Sequence, residues 1–101
     1  MVEIVATLPP MHPGEVLREE FLIPLGLSAG RVATAAGVPR TRIERIAKEE
    51  MGISADTAIR LAKVLSTTPE FWVNLQSRYD ILTTRARLGS TLEDVKSLHA
   101  A

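Results

Sequence analysis

A chain of 101 residues with 46% hydrophobic residues is long enough to fold as one compact domain with its own core. The absence of cysteine excludes disulfide bonds, thiolate nucleophiles and cysteine-based zinc sites. Twelve basic and twelve acidic side chains give a formal net charge of zero, which does not suggest a general polyanion binder. The apolar runs are too short for a bilayer and no signal-peptide pattern opens the chain, so we expect a cytoplasmic protein.

The start of the chain divides into an arm and a first helix. Residues 1–11 are predicted to be a flexible arm, because two adjacent prolines end any regular structure there. Pro13 is a favoured first helical residue, and the apolar residues after it predict a helix that stops before Pro24. We therefore expect an arm over residues 1–11, a main domain over residues 12–88 and a short helix or tail over residues 89–101.

Residues 28–48 have the pattern of two helices joined by a tight turn. Ser28 is a good helix cap and predicts a second helix over residues 29–36. Gly37 suits the left-handed residue of the turn, and Pro39 sets the start of a third helix. A helix-turn-helix has this pattern, although two helices joined by a glycine turn also occur in purely structural bundles.

Two more helices and a short third are predicted in the second half. Ser54 caps the fourth helix, and Thr68 with Pro69 opens a fifth that runs to about Leu88. A capping pattern at Thr91 predicts one more short helix. The fold class that follows is all-α, with five helices and a short C-terminal helix.

The fifth helix carries an apolar stripe with polar residues inside it. The residues predicted to serve core packing or a dimer interface are Phe71, Trp72, Leu75, Tyr79 and Leu82. The amides of Asn74 and Gln76 are predicted to satisfy backbone groups of a loop or of a neighbouring subunit.

The positive charge of this neutral chain is concentrated on the third helix. Residues 31–48 hold four arginines and one lysine against one glutamate. On a helix, Ile43 and Ile46 point to one side, while Arg40, Thr41 and Arg45 point roughly to the other. Arginine matches guanine edges and phosphates, so this edge suits a DNA groove, although a solvated surface helix has the same pattern.

Five stretches of the chain resemble HigA/VapI-type antitoxins of type II toxin–antitoxin systems. They are residues 12–21 (HPGEVLREEF), 24–28 (PLGLS), 37–43 (GVPRTRI), 54–62 (SADTAIRLA) and 68–80 (TPEFWVNLQSRYD). The resemblance implies a repressor-like helix-turn-helix fold and a homodimer. It also implies two partners: an operator in double-stranded DNA, through which the dimer represses its own operon, and a HigB-type ribonuclease toxin, which it neutralises.

The same resemblance implies the site residues. Arg40, Thr41 and Arg45 fall at base-facing positions, Arg42 at a phosphate-contacting position, and Ser28 at a helix cap that can receive a phosphate. The full set predicted to contact DNA is Ser28, Arg31, Pro39, Arg40, Thr41, Arg42, Arg45 and Lys48.

The sequence departs from the family pattern near this site. Ala29 replaces a frequent glutamine, and Glu49 and Glu50 stand where an Asn-Gly pair and a basic residue are usual. Two carboxylates near the phosphate path repel DNA. Two alternatives therefore stay open: a toxin-binding module with weak or no DNA binding, and a stand-alone helix-turn-helix regulator without a toxin.

Catalysis and cofactors find no support in the sequence. His12 and His99 are lone histidines without neighbouring ligands, and we expect them to be solvent-exposed or capping residues. No nucleophile–base pair or phosphate-cradling glycine loop is present. We expect no enzyme activity, no metal site and no cofactor.

Overall fold

The computed structural model describes residues 9–99, and all its regular elements in that range are helical. Helix α1 runs through three consecutive pieces, Pro13–Val16, Leu17–Leu22 and Ile23–Leu25; it is followed by α2 (Ala29–Ala36), α3 (Arg40–Ala47), α4 (Ala55–Leu65), α5 (Pro69–Leu88) and a 3-10 helix (Gly89–Asp94). The all-α, five-helix prediction is confirmed. Most of the predicted arm lies outside the described residues, and residues 9–12 are irregular. Among the helices described, none is both long and apolar enough to cross a membrane.

The helix starts follow from local capping chemistry. The side-chain oxygens of Ser28, Ser54 and Thr68 each accept the backbone N–H three residues further on, at 3.1 to 3.2 Å. Each bond satisfies a donor that the first turn of a helix otherwise leaves without a partner. Gly37 ends α2 with a positive φ of 72°, a conformation that costs glycine little. The predicted caps and turn are confirmed.

Helix α1 differs from its prediction because its middle is wound more widely. The Leu17–Leu22 segment is a π-helix, in which the Ile23 N–H donates to the carbonyl of Arg18, five residues back. This wider winding lies directly before Pro24, and the helix continues through the proline. The prediction that α1 stops before Pro24 is wrong: it ends at Leu25.

The short C-terminal helix is present but starts earlier than predicted. Gly89 takes a positive φ of 51° and turns the chain out of α5. A tighter 3-10 turn then begins at once, before the capping pattern at Thr91. The long axis of the molecule, 51 Å against 28 and 22 Å, reflects α5 and this segment extending away from the core.

The core lies where the five helices meet. All five helices contribute wholly buried apolar side chains, the largest being Leu17, Val32, Ile43, Ile46, Leu61 and Trp72. Buried alanines on α2 and α4 allow the close approach of these two helices. The indole N–H of Trp72 donates to the hydroxyl of Thr67 at 2.8 Å, so its burial leaves no polar atom unsatisfied.

His12 is buried and caps α1, so of the two roles expected for it, exposure or capping, the structure confirms capping. Its Nδ1 accepts the backbone N–H of Gly14 at 2.9 Å, and its ring packs edge-on against Tyr79 with centroids 4.8 Å apart. Sequence spacing gives no sign of this burial because Tyr79 belongs to α5. Burial lowers the pKa of His12 below 6.5, while the carboxylates of Glu49 and Asp80 act in the opposite direction.

Stability should therefore fall when the solution is acidified. The unfolded state binds a proton at His12 near pH 6.5, and the folded state binds it only at lower pH. The contribution of neutral His12 to the free energy of unfolding is therefore complete above pH 6.5. It is lost as pH falls from 6.5 towards the lowered folded value. Thermal melts at pH 7.5 and 5.5 measure the loss, and His12→Asn, which caps without titrating, should show a smaller one. An equal loss in both proteins would contradict this role of His12.

Candidate nucleic-acid interface

Helices α2 and α3 form a helix-turn-helix. The turn is closed by a hydrogen bond from the N–H of Val38 to the carbonyl of Ala33, at 3.0 Å. Ile43 and Ile46 are wholly buried beneath α3. Because these two residues fix one side of α3 to the core, the opposite edge faces outward.

The outward edge of α3 carries the residues predicted to face bases. Arg40, Thr41 and Arg45 are exposed, and the side chains of the two arginines are 71% and 55% accessible. Their guanidinium groups can therefore reach a partner without any change in the core. Their contact with DNA remains a prediction.

Other predicted contact residues surround this edge. Arg31, Pro39 and Lys48 are exposed, as is Ser28, whose hydroxyl caps α2. A shallow depression between α2 and α3 is lined by Ser28, Gly30, Arg31, Thr34, Val38 and Arg40. The structure thus brings Ser28, Arg31 and Arg40 together, while Lys48 lies at the far end of α3.

Each arginine of α3 has a carboxylate partner. Arg40 lies 3.4 Å from Glu44 and Arg45 lies 4.0 Å from Glu50. Both pairs are solvent-exposed, and such pairs contribute about 0–1 kcal/mol. A stronger ligand such as a phosphate or a guanine edge can therefore displace these two carboxylates.

Arg42 is held differently, by a network that reaches α2 and α4. Its Nη1 lies 3.2 Å from Oδ1 of Asp56, and the same oxygen accepts Nε of Arg60 at 2.8 Å. Nη1 of Arg60 donates to the carbonyl of Ala36 at the end of α2, at 2.7 Å. Sequence reasoning missed this network. The four-residue spacing of Asp56 and Arg60 was visible in the sequence, but their contacts with Arg42 and Ala36 are tertiary.

Glu49, one of the two acidic departures, is turned towards α1. Its Oε2 lies 3.2 Å from Nη2 of Arg18, and another nitrogen of that guanidinium donates to the carbonyl of Ala47 at the end of α3. Glu49 itself has a positive φ of 64°, which is unfavourable for a residue with a side chain. Arg18 is shared with Glu19, whose Oε2 lies 2.9 Å from its Nε, so Arg18 offsets only part of the predicted repulsion of DNA by Glu49.

The stripe of α5 serves packing within the subunit. Trp72 is wholly buried, Leu75 packs on the core and Tyr79 lies against His12. Phe71 is 39% exposed and Leu82 is half-buried. A dimer contact through these last two residues remains a prediction.

A side chain of α5 accepts a backbone hydrogen bond from the loop before α4. Oε1 of Gln76 accepts the backbone N–H of Ile53 at 2.6 Å, as predicted for this amide. Its Nε2 donates to Oδ1 of Asp80 at 2.9 Å. Asn74 is exposed on the same helix.

Comparison with known proteins gives one consistent result. The helix-turn-helix family matches residues 17–72, more than half of the chain. Virulence-associated protein I of Dichelobacter nodosus is 47% identical over 74 residues, covering 73% of this chain and 68% of that protein. Antitoxin HigA-1 of Vibrio cholerae is 38% identical over 89 residues, covering 88% and 84%. Among solved structures, Pseudomonas aeruginosa antitoxin HigA with the higBA promoter is 41% identical in sequence to this chain. The match covers 90% of this chain and 99% of that one, with a TM-score of 0.84. The chain belongs to the helix-turn-helix family and, within it, to the HigA-type antitoxins.

Proposed function

We propose that this protein is an antitoxin that binds operator DNA as a dimer, represses its own operon and neutralises a HigB-type ribonuclease toxin. The observation that carries the DNA-binding part is the outward edge of α3, where Arg40, Thr41 and Arg45 are exposed opposite two wholly buried isoleucines. The similar structure from Pseudomonas aeruginosa contains the antitoxin HigA together with promoter DNA, which supports the same role here. This role is binding alone, in the cytoplasm, and needs no cofactor or catalytic residue.

Two copies are needed because one α3 reads only a few base pairs. A two-fold dimer places two such helices about 34 Å apart, which is one turn of the duplex. Exposed apolar residues near the end of α5 and beyond it support a contact between subunits: Ile81, Leu88, Leu92 and Val95. They belong to the part of the chain that extends from the core, where a partner subunit can cover them.

Replacing Arg45 by alanine should weaken operator binding by about 1–3 kcal/mol, because a bidentate contact to a guanine edge is lost. Fluorescence anisotropy with a labelled duplex from upstream of the gene, at fixed salt, measures this change. Arg78→Ala removes an exposed arginine from α5 and serves as the matched control. An operator affinity unchanged by Arg45→Ala would exclude Arg45 as a base-reading residue.

The toxin-binding role is tested separately by co-purification with the product of the adjacent gene. We expect the Arg45→Ala protein to retain this partner, because Arg45 lies on the DNA-facing edge. A protein that retains the toxin but shows neither sequence preference nor salt dependence with DNA would be a toxin-binding module. DNA binding without any toxin partner would identify a stand-alone regulator.

A further inference from the structure

Asp56 differs from the other carboxylates that pair with arginines of α3. Glu44 and Glu50 lie on α3 and in the loop after it, and their ion pairs are longer, at 3.4 and 4.0 Å. Asp56 lies in the first turn of α4, and its Oδ1 is fixed by Nε of Arg60 at 2.8 Å. Arg60 is in turn anchored to the carbonyl of Ala36.

Arg42, the partner of Asp56, is the least exposed of the three arginines on α3. Its side chain is 35% exposed, against 71% for Arg40 and 55% for Arg45. The Asp56 side chain is itself 58% exposed, but its second ion pair, to Arg60 at 2.8 Å, favours its position on α4. To contact a phosphate, the Arg42 guanidinium must give up its ion pair with this carboxylate. A guanidinium that stays with its carboxylate releases no counterion from DNA.

Resting on the proposed operator binding, we infer that Asp56 holds Arg42 back from the DNA backbone and thereby limits operator affinity. Asp56 is a regulating residue that acts through Arg42 and makes no DNA contact of its own. The ligand in question is the phosphate backbone, so the effect is the same for every base sequence.

The test is Asp56→Asn, which removes the charge but keeps a carbonyl oxygen to accept from Arg60. Freeing one phosphate contact adds about 0.9 to the magnitude of the slope of log affinity against log salt. Between 1 M and 0.1 M salt, a slope of about 0.9 corresponds to an affinity gain of about eightfold. Asp56→Ser is a second variant, and circular dichroism checks that both proteins are folded.

A double-mutant cycle separates this effect from a general change of charge. In an Arg42→Ala background the gain from Asp56→Asn should disappear, because the released group is absent. Glu44→Gln makes the same change of charge on α3, and its effect should be equal with and without Arg42.

Three results would overturn the inference: an unchanged salt slope in Asp56→Asn, weaker operator binding by it, or a gain that persists in full without Arg42. Weaker binding would mean that Asp56 orients Arg42 for DNA. If the unmodified protein shows no salt-dependent operator binding at all, the proposed function fails first, which distinguishes the two failures.

Discussion

Gly14→Ala should lower the free energy of unfolding by about 3 kcal/mol or more, since forcing an added methyl into a tightly packed site displaces the backbone. A Cβ at this position would lie 1.7 Å from the carbonyl oxygen of Ile46. The obstacle is backbone of α3, so no side-chain rotation can relieve it. Helix α1 must move away from α3, which also separates Arg18 from the carbonyl of Ala47. Urea unfolding followed by far-ultraviolet circular dichroism measures the loss.

Gly30→Ala is the matched control for that experiment. A Cβ at Gly30 would meet the flexible Cδ of Arg40 at 3.3 Å, and this side chain can give way. Gly30 is the second residue of α2, where alanine also favours the helix over glycine, by up to about 0.5–1 kcal/mol. We expect stability to be unchanged or slightly higher; equal losses in the two variants would show that the close approach of Gly14 to α3 is not the cause.

Trp72→Ala should cost about 3–5 kcal/mol, the range for removing a fully buried large aromatic side chain. Trp72 is wholly buried, and its ring centroid lies 5.4 Å from that of Phe21 and 5.0 Å from that of Phe71. Its indole N–H donates a hydrogen bond to the hydroxyl of Thr67. A domain of this size has about 5–15 kcal/mol of stability, so the loss is a large fraction of it. Unfolding must be compared at one protein concentration, because dimer formation also stabilises the folded state.

The neighbouring Phe71→Ala provides the comparison. Phe71 is 39% exposed, and we expect a loss of about 1–2 kcal/mol, since less apolar area leaves water on folding. If Phe71→Ala proved as damaging as Trp72→Ala, Phe71 would have a larger role than its exposure suggests, such as in the dimer interface.

The sequence was sufficient wherever a local interaction decides the structure. Ser28, Ser54 and Thr68 cap their helices through bonds to residues three positions away, which sequence spacing reveals directly. The burial of Ile43 and Ile46 and the exposure of Arg40, Thr41 and Arg45 follow from helical periodicity. Most of the fold and the outward edge of the site could therefore be predicted.

What the sequence did not reveal depends on contacts between distant parts of the chain. His12 is buried because α5 brings Tyr79 against it, and Asp56 meets Arg42 because α4 packs beside α3. Glu49 was predicted to repel DNA, yet the turn after α3 directs it to Arg18. The π-helical turn of α1 has no distinct local signal, which is why the end of that helix was misplaced.

The way α3 is held has a consequence for engineering. Its inner side is fixed by two buried isoleucines, and its end is fixed by the close approach of Gly14 and the bond from Arg18. None of these contacts uses positions 40, 41 or 45. A library randomised at these three positions would keep the orientation of the helix and change only the groups it displays. On the proposed reading of the operator by these three positions, the fold is a suitable scaffold for selecting repressors with new, mutually orthogonal operators.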